Sequence, residues 1–345
     1  MRMVQINRRE FLMNKLRIFE AFSGYGSQSI ALRNLGIDYE VVAISEIDKY
    51  AIQSYEAIHG KVNNLGDISK LKVEDIPKHD LFTYSFPCQD ISVAGKMKGI
   101  EKGKTRSGLL YECEKIIEAK KPKYLLMENV KNLVSKKFKS QFDEWLKYLE
   151  ELGYTNYWKI LNSKNYGIPQ NRERVFVVSI LGEHKPYKFN EGFKLDKRIK
   201  DLLEDVVDEK YYLSKEIQER FKPILNQNKN NSQIIKLGNA SKNPRSQAGL
   251  TVSYDGISMT ICSGTHGYAM GYLFDGEIKN INNELIKQGK IRRYTPKECF
   301  RLMGLSEEDI NKIQSTGLSD TQQYKLAGNS IVVQVLESIF RELLL

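Results

Sequence analysis

The stretch "FEAFSGYGSQSIAL", Phe19 to Leu32, carries the reading of the fold. An apolar run with strand character ("LRIFEAF", Leu16 to Phe22) enters Gly24-Tyr25-Gly26 and then opens a helical pattern, "SQSIALRNL", that Gly36 ends. Glycines at such a junction let the backbone turn tightly and approach a ligand closely. Glu46 lies twenty positions past Gly26, at the end of the next predicted strand, "YEVVAI". A carboxylate there can accept hydrogen bonds from ribose hydroxyls. This is a nucleoside-cofactor signature, although Ser29 stands where the dinucleotide fingerprint has its third Gly or Ala. A tight turn without a ligand is the alternative.

Working outward, the alternation continues. A helical pattern at Asp48 to Ile58 precedes strands at "DLFTYSF" (Asp80 to Phe86), "YLLM" (Tyr124 to Met127), "YWKIL" (Tyr157 to Leu161) and "VFVVSIL" (Val175 to Leu181). Helical patterns lie between them at Leu109 to Ala119 and at Phe138 to Leu152. Such a βαβα rhythm predicts an α/β fold, a Rossmann-like, mostly parallel sheet with helices on both faces. After Leu181 the rhythm fails. The region up to residue 290 includes "NQNKNNSQIIKLGNASKNPRSQAG" (Asn226 to Gly249), crowded with Asn, Gln, Ser, Lys and Arg, and predicts a second, smaller, loop-rich domain. Residues 1–185 plus 291–345 are expected to form the larger domain and 186–290 the smaller. A strongly amphipathic helix is expected over Asn329 to Leu345, its apolar face needing the sheet domain as a partner.

Composition bounds the function. The 345 residues suffice for two domains, and 41% hydrophobic with 28% charged is ordinary for a globular protein. No apolar run approaches the ~18 residues of a membrane span. The basic opening "MRMVQINRREFLMNKL" has no continuous apolar core and does not read as a secretory signal; Met1 and Met13 are both possible starts. The chain is expected to be cytoplasmic, with no membrane partner. A formal charge of +10 points to a polyanion such as nucleic acid, with a merely solvated surface as the alternative. The four cysteines, Cys88, Cys113, Cys262 and Cys299, form no C-x-x-C pair and have no histidine at ligand spacing, which argues against a metal site and a disulfide framework.

Three further motifs carry chemistry. In "YSFPCQDIS", Cys88 follows a predicted strand, so it projects where open α/β sheets place ligands, and Pro87 stiffens the turn. On that stretch alone a nucleophile and an inert buried thiol stand equal. In "LLMENV", Glu128 ends the next strand; a carboxyl in a low-dielectric pocket there would be held above its usual range and could donate a proton. In "GIPQNRERVFVV", Arg172 and Arg174 alternate and are expected on one side of a strand, either as ligand-binding guanidinium groups or as a surface salt-bridge pair. Asp67 in "LGDIS" could meet an adenine amino group or be a turn residue.

Taken in order, "FSGYGS", Glu46, "GDI", "FPCQDIS", "ENV", "QNRERVF", "RRYTPKE" and "QQYKLAGNSI" resemble the DNA cytosine-5 methyltransferase family along nearly the whole chain. Ser23 and Ser27 replace the Ala and Gly common there, both small enough to leave cofactor binding in place. The resemblance implies a target-recognition role for residues 186–290. It implies Cys88 as the nucleophile at C6 of cytosine, Glu128 at N3 and the exocyclic amine, Arg174 at O2, and Arg172 supporting the thiol and its loop. It implies S-adenosyl-L-methionine bound by Phe22, Gly24, Tyr25, Gly26, Glu46, Ile47, Asp67, Ile68, Pro87, Leu109, Asn329, Ser330 and Ile331. The target base would be flipped out of double-stranded DNA, with the Lys- and Gly-rich segment after Cys88 as lid and Gln89 and Ser92 as gap fillers. Lys242, Asn243, Arg245 and Gln247 are the base-reading candidates. The family also implies a compact modification enzyme of bacterial or phage type, a monomer, acting apart from any cognate restriction endonuclease. A tRNA cytosine-5 methyltransferase is the nearest rival. A nicotinamide-dependent oxidoreductase would leave Cys88, Glu128 and the arginines unexplained, and a non-catalytic DNA-binding module would need no strand-end cysteine.

Overall fold

A computed structural model describes residues 15–87, 106–219, 222–223, 236–239, 250–263, 271–281 and 284–345. The chain divides into two compact units. The first comprises Met1–Leu161, Glu173–Glu191 and Val335–Leu345, the second Asn162–Arg172 and Gly192–Gln334.

In the first unit the alternation becomes β1 (Leu16–Ala21), α1 (Ser27–Asn34), β2 (Tyr39–Ser45), α2 (Lys49–His59), β3 (Leu81–Tyr84), α3 (Leu110–Lys120), β4 (Tyr124–Val130), α4 (Lys139–Glu151), β5 (Tyr154–Asn162) and β6 (Glu173–Leu181). The six strands form one sheet in the order β2-β1-β3-β4-β6-β5. The pairs β1–β2, β1–β3 and β3–β4 are parallel, and β4–β6 is antiparallel. Strands covered on both faces must be apolar throughout, and all four residues of β3 are buried. Helix ends follow local chemistry. The Asp48 side chain accepts from Tyr50 N at 3.0 Å, and Gly60, at φ 85°, stops α2. The helical pattern read at Leu109 to Ala119 is α3, with Leu110, Cys113, Ile116 and Ile117 buried along one stripe. An aromatic ladder, Phe19 to Phe82 (5.2 Å), Phe82 to Tyr84 (5.1 Å) and Tyr84 to Trp145 (6.2 Å), joins β1 and β3 to α4. Four parallel strands therefore end at one edge, and that edge carries the glycine turn, Glu46, the exit toward Cys88, and Glu128.

The second unit, expected to be loop-rich, also holds a regular element. It contains a five-stranded sheet, β11-β10-β9-β8-β7, built on β7 (Lys222–Pro223), β8 (Lys236–Asn239), β9 (Leu250–Ser253), β10 (Tyr272–Ile281) and β11 (Glu284–Arg292). The β10–β11 hairpin was hidden by the Lys, Asn and Glu interspersed among its apolar residues; Phe274 and Ile291 anchor it to a small core with Leu213 and Tyr272. Helices α5 (Lys215–Glu219), α6 (Pro296–Arg301), α7 (Glu307–Ser315) and α8 (Asp320–Asn329) complete the unit. The compact division also departs from the expected boundary at 291, since 291–334 groups with the second unit. The reason is a buried node in "RRYTPKE": Glu298 accepts from Arg292 Nη1 and Nη2 (2.8 and 2.9 Å), from Thr295 N (2.9 Å) in a capping box, and from Glu204 N (3.0 Å).

The single helix expected over Asn329 to Leu345 is two. Asn329 ends α8, residues 330–332 are non-helical, and α9 runs Val333–Leu344. Its Val335, Leu336, Ile339 and Phe340 are buried, and in the first unit Asn34 Nδ2 donates to Glu337 Oε1 at 2.7 Å. The apolar face thus finds a partner on the sheet unit as expected.

Candidate active site

The turn after β1 is conformationally demanding. Gly24 and Gly26 have φ of 58° and 80°, and Phe22, which has a side chain, sits at 56°. A non-glycine residue there costs ~1 to 3 kcal/mol and persists only where its surroundings dictate it. Phe22 N donates to Ser45 O (2.8 Å) and Gly26 N to Ser23 O (2.9 Å). A Cβ on Gly26 would lie 2.5 Å from His59 Nε2 and 2.7 Å from the Tyr55 ring, so only glycine lets α2 close behind the turn. Glu46 ties the turn to β2: Oε2 accepts from Gly24 N (3.0 Å) and Oε1 from Ile47 N and Asp48 N (2.9 Å each). With about four lone-pair positions on a carboxylate, acceptor capacity is left for a ribose hydroxyl. Ile47 beside it is 73% exposed, an apolar side chain presented to whatever docks there. Asn64 binds Glu46 N (3.2 Å), Glu46 O (3.1 Å) and Gly66 N (3.0 Å), which places "GDI" against the end of β2. Asp67 accepts from Ser69 N (3.0 Å) and Ser69 Oγ (2.7 Å); those bonds hold its carboxyl below the usual range, leaving an ionised acceptor. Ile68 is buried, and Pro87 and Leu109 are half-buried. These donors, acceptors and apolar groups fit an adenine nucleoside.

Cys88, Gln89, Ser92, Lys242, Asn243, Arg245 and Gln247 lie outside the described residues. The chain entering Cys88 is described, and it is held at two consecutive carbonyls. Asn129 Nδ2 donates to Phe86 O (3.1 Å), and Ser107 Oγ donates to Pro87 O (2.7 Å). Sequence reasoning singled out neither Asn129 nor Ser107; the "ENV" triplet was the available signal for the first. Glu128 is buried at the same strand end, with Arg174 Nε 3.3 Å from its Oε1. In the β4–β6 ladder, Val130 lies opposite Arg174 and Glu128 opposite Phe176, so the pair forms on the diagonal. Cys113 and Cys299 are poor nucleophiles. Burial pushes Cys113 and Cys299 well above the usual thiol range, and Cys262 donates to Thr260 O at 3.5 Å.

The two arginines do not work as a pair. Arg172, expected to support the thiol loop, donates in the second unit to three backbone carbonyls: Ile261 O (2.7 Å) and, from Nη2, Gly328 O (3.1 Å) and Ser330 O (2.6 Å). It is a clamp on the G-N-S triplet. Gln170, also missed from sequence, is fully buried and bridges Ile261 N (3.0 Å) to Leu302 O (2.7 Å). Gly328 packs so closely that a Cβ would meet the Cys262–Ser263 backbone at 2.3 Å. Within that frame Asn329 is exposed while Ser330 and Ile331 are buried. No cluster of residues able to hold a metal ion occurs among the described residues, and none of the described helices is long and apolar enough to cross a membrane.

The chain is similar to known proteins over almost its whole length. The family model described as C-5 cytosine-specific DNA methylase matches residues 16–344. The type II methyltransferase M2.ScrFI of Lactococcus lactis subsp. cremoris is 40% identical, covering 95% of this chain and 99% of that one. The orphan methyltransferase M.SPBetaI of Bacillus phage SPbeta is 32% identical, over 96% and 98%. Among solved structures, the S. pombe Dnmt2 methyltransferase superposes with a TM-score of 0.71 at 22% identity, covering 96% of this chain and 100% of its own. The Entamoeba histolytica methyltransferase EhMeth gives 0.71 at 20%, over 96% and 99%.

Proposed function

The chain belongs to the C-5 cytosine-specific DNA methylase family and is a DNA cytosine-5-methyltransferase; on that premise we propose that it modifies a flipped-out cytosine in a specific double-stranded DNA sequence through a covalent Cys88 adduct, with S-adenosyl-L-methionine as cofactor. The observation carrying the reading is the edge of the parallel sheet, where the glycine turn and Glu46, the clamped entry to Cys88, and the Glu128–Arg174 pair end adjacent strands.

In this reading Glu46 accepts from the ribose, Asp67 from the adenine amino group, and Ile47 and Phe22 offer apolar contact. The bound cofactor supplies an electrophilic methyl group. Cys88, as thiolate, attacks C6 and drives electron density toward C5; the raised thiols of Cys113 and Cys299 leave it the better nucleophile. Glu128 binds N3 and the exocyclic amine, and Arg174 binds O2, so charge developing in the ring meets fixed partners. Arg172 shapes the segment bearing Asn329, Ser330 and Ile331. Once the methyl group is on C5, loss of the C5 proton to a base allows elimination of Cys88. Flipping costs a few kcal/mol of stacking and pairing, and Gln89 and Ser92 fill the gap. Residues 186–290 act in target recognition, with Lys242, Asn243, Arg245 and Gln247 reading bases. The enzyme works as a cytoplasmic monomer in a bacterial or phage modification system, separately from any cognate restriction endonuclease.

The test is incubation with labelled S-adenosylmethionine and duplex DNA or tRNA, followed by bisulfite mapping. Label in a defined duplex sequence, lost in Cys88→Ser while cofactor binding survives, is the expected result. Absence of label from every cytosine of both substrates, or transfer by Cys88→Ser, would sink the reading.

A further inference from the structure

Behind the glycine turn lies an acid that neither the cofactor contacts nor the transfer chemistry employs. Glu20, in β1, is fully buried. Its Oε1 accepts from Ser29 Oγ at 2.7 Å, and its Oε2 has no hydrogen-bond partner. Thr83, opposite Glu20 in the β1–β3 register, brings a second buried oxygen without a partner. Ser29, in the first turn of α1, also lies 3.5 Å from Tyr55 Oη. The Tyr55 ring and His59 are the groups that a Cβ on Gly26 would strike; the two rings are 4.5 Å apart, and His59 Nε2 is 3.1 Å from Tyr25 O. An unbroken run of contacts therefore leads from the Glu20 carboxyl through Ser29 and Tyr55 to the back of the turn.

The electrostatics of this run are one-sided. Burial pushes the Glu20 carboxyl up to about 7, and hydrogen bonds from the neutral Ser29 and Tyr55 offset only part of that, with no cation contributing. Burial pushes the Tyr55 hydroxyl well up, so it stays neutral; Tyr39 of β2, whose hydroxyl donates to Ser29 O at 2.9 Å, and His59, packed on the Tyr55 ring, are the other titratable groups facing this cluster. Glu20 is thus the oxygen acid of the run that changes charge near neutral pH, and the His59 imidazole at the far end of the run is a second titratable group. An ionised carboxylate is acceptor-only and would need donors at Oε2. The Tyr55 hydroxyl already faces this carboxyl, and ionisation draws it closer, shifting the ring that packs against Gly26.

We propose that Glu20 is a positioning residue for the cofactor turn: protonated, it holds Ser29 and Tyr55 in the arrangement that seats Gly26, and its ionisation loosens the turn and weakens cofactor binding. The inference rests on reading that turn as the S-adenosylmethionine cradle. It is tested on the full chain by titration calorimetry with S-adenosylhomocysteine from about pH 6 to about pH 8.5. The dissociation constant should rise about tenfold across this range for the wild type, equivalent to about one pH unit of linkage, and change less than about twofold for Glu20→Gln. Tyr55→Phe keeps the ring against Gly26 but removes the hydroxyl that passes the change on, and should also flatten the profile. A purely structural role would alter affinity at every pH and leave the slope. A flat wild-type profile, or equal slopes in wild type and both variants, overturns the proposal. A wild type that binds no S-adenosylhomocysteine at any pH would instead remove the cofactor reading, and this inference with it.

Discussion

Arg172→Ala is the perturbation with the most closely specified outcome. Its guanidinium is almost fully buried and makes charge-assisted bonds of 2.7, 3.1 and 2.6 Å to Ile261 O, Gly328 O and Ser330 O. A hydrogen bond involving a charged group contributes ~1.5 to 3 kcal/mol, and truncation leaves buried carbonyls unsatisfied. Three such bonds would sum to ~5 to 9 kcal/mol, but relief of the guanidinium's own desolvation and admission of water offset part of it. The net local loss is about 4 kcal/mol. At 1.36 kcal/mol per factor of ten, that is about three decades of amide protection. Hydrogen exchange read by mass spectrometry on peptides spanning 257–263 and 324–332 should show it, with exchange in β1 and β3 little changed. Arg172→Lys keeps the charge but replaces a planar fork by a compact ammonium, so it should recover less than half. Protection within tenfold of wild type for Arg172→Ala, or full recovery by lysine, would refute the clamp.

Other outcomes follow from the same geometry. Gly328→Ala forces a Cβ to within 2.3 Å of the Cys262–Ser263 backbone and should lower the melting temperature by several degrees, an unchanged melting curve counting against that packing. Asn129→Ala frees Phe86 O and should cut kcat at least tenfold while changing the cofactor dissociation constant less than twofold; single-turnover methylation separates the two. Glu20 also shapes folding stability. Its folded value of about 7 lies above the model-compound 4.5, so its contribution is full below pH ~4.5 and is lost as pH rises to about 7, a change of about 3 kcal/mol at 1.36 kcal/mol per pH unit. In urea titrations, the stability of Glu20→Gln relative to wild type should therefore increase over that window, and a pH-independent difference would argue that the carboxyl is not buried.

The sequence by itself determined much of the first unit. Strands covered on both faces must be apolar along their whole length, so β1, β3 and β6 were legible as runs, and the glycine turn, "FPCQDIS" and "ENV" marked the carboxyl edge because turn chemistry is local. Tertiary structure decided the rest. Arg172 and Arg174, two residues apart, were indistinguishable by spacing, yet one reaches three carbonyls from two distant segments and the other reaches Glu128; hydrogen-bond partners at separations of 89 and 158 residues leave no periodic trace. The β10–β11 hairpin was invisible because strands with polar residues interspersed among apolar ones lack a continuous apolar run. Glu20 is the sharpest case. Sequence alone shows an acid in a strand, whereas burial, an unpartnered oxygen and the contact path to Gly26 exist only once α1, α2 and β3 have closed around it.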